Sequence, residues 1–466
     1  MDFQQVPSAV YATIFEIGVL AWGIDFLPRI CLVCRAWNEI VISTPSLWGI
    51  INILDKRARY PYTLGLQITK AKAAPLTVSI PPSVLPPPVA WEVRRLTSLS
   101  RNWVSAVVHT NTLLQCRWSD MRSSLGSLHL SRSFPSTDPA TDFFGDLTEF
   151  RQPPKLHTFT ATALSKEWIL PFLSSSIKFF RLKVNPRHDD QVHLTSTIDC
   201  LSRIPAVNTL IIESIRHFQS VPLNQKTVYL RELLTLELVR SCYVSPLLCA
   251  ISATSLQTLF VDHQYRPHRS RNSQNESPSL ALASFFSQWS HSNYLPANLH
   301  TLKLVECLQL ADVPFLIRFL SRLPNLVRLI IVDDTVGNAA ELPPGGEERN
   351  LFRALESSKG AESVGGGWLC TSLMVLHLET DLQVQDLIRI ARARNETTSS
   401  PSSTSNPNRL RWVDAMLCSS GSRSEVEELR TLVDSAVSLL RLLTEPDLWW
   451  AFIRFLLLIS LIETSF

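Results

Sequence analysis

The sequence predicts a mixed α/β protein: a small N-terminal helical module, then a solenoid of short repeats whose strands form a parallel sheet on a concave face. Three observations predict it. Leucine is in excess, at about 70 of 466 residues. A six-residue pattern, Leu-x-x-Leu-x-Leu with Ile, Val or Phe substitutions, recurs between residues 125 and 415. The first 54 residues also hold more large apolar side chains than so short a segment buries alone.

The N-terminal block (1–54) reads as helices. Pro7 suits a first helical turn, and Val6, Val10, Ile14 and Phe15 follow at helical spacing. A second apolar run, 26–42, carries Leu27, Ile30, Cys31, Val33, Cys34, Trp37, Val41 and Ile42 and reads as one helix. Pro45 stops it, and Leu47 and Trp48 add bulk beyond the stop.

The repeat region (55–420) opens on a candidate strand at 75–80. The triplet pattern then starts at 125, 156, 177, 207, 233, 256, 299, 326, 373 and 410, with the weaker copies at 156, 177 and 410. In each copy the last two apolar residues alternate onto one face of a short strand, and the first turns the chain into it. A following helix or loop has to cover the inner side, and stacked units then share one core. Cys307, three residues after Leu304, stands at the Asn/Cys position of the leucine-rich repeat consensus. Helices are expected at 198–204, 311–323 and 381–394. The polar stretches 263–278, 335–367 and 395–408 read as flexible surface loops leaving the array.

The last segment (421–466) reads as helical, a cap or an anchor. Residues 425–443 alternate charged and apolar side chains at helical spacing. The apolar run 448–462 carries Arg454 near its middle and is short of the roughly 20 residues a membrane span requires. It reads as a closing helix or an interfacial anchor.

Composition narrows the function. Hydrophobic residues make up 45% of the chain, enough for a sizeable core. A net charge of +3 argues against a nucleic-acid binder with a broad basic face. With 14 glycines the chain is poor in the residue that phosphate-cradling loops need. Nine cysteines are too sparse for a disulfide scaffold, and no signal peptide is visible, so a cytoplasmic or nuclear location is expected, with the Asn275 and Asn395 sequons unused.

Candidate chemistry is thin. Cys31-x-x-Cys34 lacks a second ligand pair and reads as structural. His188, Asp189, Asp190 and His193 sit in a polar stretch without a supporting motif, and Asp333-Asp334 reads as a solvated turn at a strand end. Gly365–Gly367 lacks the Lys-Ser/Thr of a phosphate loop, and Arg266, His268, Arg269 and Arg271 read as a solvated loop. No catalytic residue, metal site or cofactor is predicted, and the chain is not expected to be an enzyme.

Residues 5–52 resemble an F-box. The opening stands as Val6-Pro7-Ser8-Ala9-Val10 followed by Ile14-Phe15. The later signature is Leu27-Pro28-Arg29-Ile30-Cys31-Leu32-Val33-Cys34-Arg35-Ala36-Trp37, then Ser43-Thr44-Pro45-Ser46-Leu47-Trp48. It is similar to the F-box-like modules of mushroom-forming fungi, which continue into irregular leucine-rich repeats. Val6 and Ala9 depart from the usual Leu and acidic residue, and residues 19–25 are read as lengthening the first loop.

The resemblance implies a substrate-recognition subunit of a cullin-based ubiquitin ligase. The F-box would dock a Skp-type adaptor and through it a cullin, and the repeats would hold an unknown protein substrate. It further implies that Val6, Pro7, Val10, Ile14, Phe15, Leu27, Ile30, Val33 and Cys34 face the adaptor, with Trp37, Pro45, Leu47 and Trp48 structural. The alternative is a scaffold protein in which these residues only cap the array.

Overall fold

The computed structural model describes residues 6–53, 61–80, 87–116, 121, 123–132, 155–184, 194–213, 227–241, 244–263, 282–291, 296–308, 310–333, 351–356, 368–380, 384–397, 407–417, 423–433 and 435–438. The chain divides into two units, Met1–Val192 with Asp199–Val207 and His193–Ile198 with Asn208–Phe466. Both are mixed α/β with an open parallel sheet.

The first unit begins with four helices: α1 (Ser8–Trp22), α2 (Phe26–Cys31), α3 (Arg35–Ser43) and α4 (Pro45–Trp48). The apolar run at 26–42 is therefore two helices and not one. Between them Cys34 is extended, with φ −159°, and it opens α3. Residues 19–25 are not a lengthened loop either: α1 runs on to Trp22 and ends at Gly23, whose φ of 78° turns the chain.

Six strands follow: β1 (Ile50–Asn52), β2 (Leu76–Ser79), β3 (Trp103–His109), β4 (Ser127–Ser131), β5 (Thr158–Thr162) and β6 (Phe179–Lys183), each parallel to the next. Between and after them lie α5 (Pro61–Ala71), α6 (Pro87–Ser98), α7 (Thr110–Leu113) and α8 (Lys166–Ile169), and the residues of α9 (Leu194–Ser202) divide between the two units. Side chains alternate on the strands, and Ala106, Leu128, Phe159 and Phe180 pair in register as one buried row.

In the second unit β7 (Thr209–Glu213), β9 (Thr235–Val239), β11 (Thr258–Asp262), β12 (Thr301–Val305), β13 (Arg328–Val332), β14 (Val375–Thr380), β15 (Trp412–Leu417) and β16 (Ser435–Ser438) pair in that order, all parallel. The two-residue strands β8 (Val228–Tyr229) and β10 (Ile251–Ser252) pair separately. Leu210, Leu236, Leu259, Leu302, Leu329, Leu376 and Val413 form one buried row across the sheet. Full burial of each leucine contributes about 1.5–3 kcal/mol. Thr209, Thr235, Thr258 and Thr301 align at the strand entrances, where β-branched side chains suit a pleated, half-buried surface.

Behind this sheet α10 (Val244–Ala250), α11 (Ala283–Trp289), α12 (Val313–Leu320), α13 (Leu351–Glu356), α14 (Val384–Thr397) and α15 (Arg423–Leu432) pack each against the next. Helix α13 lies inside the stretch 335–367 that reads as loop from sequence. It buries Leu351, Phe352, Ala354 and Leu355, an apolar cluster that polar flanks obscure. Asn395 likewise belongs to α14, where it donates to Leu432 O and accepts from Leu410 N at 2.8 Å. The helix expected at 425–443 is α15 followed by the strand β16. The segments 264–281 and 334–350, the residues 188–190 and 193, and the apolar run 448–462 lie outside the described residues.

Candidate functional site

The helical module is built on two faces of α1. Tyr11, Phe15, Gly18 and Val19 recur at helical spacing and turn inward. Phe15 and Val19 join Leu27, Ile30, Val41 and Leu47 in one core. Trp37 closes it: its ring meets Phe15 edge-on at 5.2 Å and Tyr11 at 5.9 Å. Helices α1 and α2 approach closely because position 18 is glycine, where an added Cβ would stand 1.9 Å from the Phe26 ring.

The other face of α1 is apolar and open to solvent. Val10, Ile14 and Ile17 lie along it, with Ile14 53% exposed and Ile17 61%. The α2–α3 connection adds Leu32, 87% exposed, and Val33 at 61%. Monomers rarely leave large apolar side chains in such density without a partner.

The nine residues assigned to the adaptor thus divide. Val6, Pro7, Val10, Ile14, Val33 and Cys34 are exposed. Phe15, Leu27 and Ile30 are not available to a partner: they are the core of the module, at 2%, 0% and 3% exposure. Helical spacing places an apolar residue on a stripe but does not say which stripe is buried within the chain. Ile17, Leu20 and Leu32 are exposed apolar residues that the family pattern did not point to; the 10, 14, 17 spacing is the signal for the first of them.

Of the four residues read as structural, Trp37 closes the module's core and the other three form α4, next to strand β1. Pro45 opens α4, Leu47 is buried, and Trp48 Nε1 donates to Val41 O at 2.9 Å. Just beyond, Gly49 O accepts from Thr77 N at 2.9 Å, and a Cβ at Gly49 would meet Pro75 O at 2.5 Å. The module therefore runs directly into edge strand β1.

Elsewhere, three groups that the sequence singled out, Cys31, Cys307 and Asp333, are drawn into the packing. Cys31 is half-buried, and burial pushes its thiol up. Asp333 is not in a solvated turn: it is buried and accepts from Leu308 N at 2.8 Å. Cys307 is also buried, its Sγ 3.9 Å from Val261 O. Among the described residues no group of three or more His, Cys, Asp and Glu is placed to hold a metal ion, and no helix is long and apolar enough to cross a membrane.

What fold and site together define is a mixed α/β protein with an open parallel sheet and an N-terminal helical module that presents an apolar face. Neither the family models nor the curated proteins compared with it match this chain.

Proposed function

We propose that the protein is a non-catalytic substrate receptor of a cullin-based ubiquitin ligase, with residues 6–52 as its F-box and the strands as an irregular leucine-rich-repeat solenoid. The observation that carries the reading is the exposed apolar face of α1, Val10, Ile14 and Ile17, on a module whose core is already closed by other residues. An apolar helix face of this kind is suited to a groove or helix on a partner. A Skp-type adaptor is the partner the resemblance supplies, and an outward sheet face is the surface left for substrate.

A second reading, a scaffold protein whose N-terminal module only caps the array, draws on the pairing of β1 with β2. Capping accounts for Trp48, Gly49 and β1. It leaves the outward face of α1 without a purpose.

Co-purification with a Skp-type adaptor separates the two. The intact chain is expected to form a stable complex that Val10→Asp, Ile14→Asp abolishes while the variant stays folded, because both side chains are exposed. A well-folded intact chain that captures no adaptor gives the function to the scaffold.

A further inference from the structure

We draw no further inference here: the strongest candidate, the exposed apolar stripe of α1 together with Leu32 and Val33 on the α2–α3 connection, belongs to the site already described, and nothing in the structure shows what else covers it.

Discussion

Asp333 follows β13 and is 4% exposed, and its Oδ2 accepts from the backbone N–H of Leu308. A buried donor deprived of its acceptor costs about 1–3 kcal/mol. Asp333→Ala is therefore expected to lower the unfolding free energy by about that amount in urea, and Asp333→Asn, which keeps an acceptor oxygen, by less. An alanine variant as stable as the parent would show that Leu308 N–H finds another partner. Arg394 illustrates the same rule with a cation. It is fully buried, donates to Leu369 O at 3.0 Å and Cys370 O at 2.7 Å, and burial pulls its pKa down to about 10. From sequence, Asp333 beside Asp334 looks solvated and Arg394 looks like one more charge on an amphipathic helix. Burial of either depends on which backbone groups tertiary packing leaves without partners.

At the scale of the element, α1 sorts its apolar residues by direction. Phe15 fills the module's core, whereas Ile14, one residue earlier, faces solvent. Phe15→Ala is expected to cost about 3–5 kcal/mol, and Ile14→Asp to change stability by no more than about 0.5 kcal/mol. Chemical denaturation of the two variants measures the contrast, and equal losses would mean that the face of α1 is misassigned. The strands were far more legible than the helices. All ten triplet starts lie two residues before a strand, from Leu125 before β4 to Leu410 before β15. A strand repeats every two residues, so three leucines suffice to locate it and to name its buried face. β3 carries no such triplet and so is not marked by the repeat, although Val104, Val107 and Val108 give it strand character. The break between α2 and α3 has no Gly or Pro to announce it.

At the scale of the molecule, three partly buried imidazoles among the described residues contribute to the response to acid. Burial lowers the pKa of His109, His129 and His263 below 6.5; for His263 it outweighs the upward pull of Glu306, Asp262 and Asp333. The unfolded chain, with histidines near 6.5, then takes up protons first as the pH falls. Stability from these groups is complete above about 6.5 and declines as the pH drops toward their folded values. The urea midpoint should be higher at about pH 7.5 than at about pH 5.5, and replacing the three histidines by glutamine should flatten the difference. A midpoint that rises on acidification would contradict the lowered pKa values of these rings.

The sequence by itself determined the mixed α/β class, the order of ten strands and the leucine rows they share, because strand periodicity and leucine burial are local properties written in spacing. Tertiary structure alone decided which apolar residues of 6–34 are core and which are surface. It also decided that Asp333, Arg394 and His109 are buried, and that the polar faces of β4, β5 and β6 align into rows. Each of these depends on residues far apart in the chain meeting in space, and no single window of sequence contains both partners.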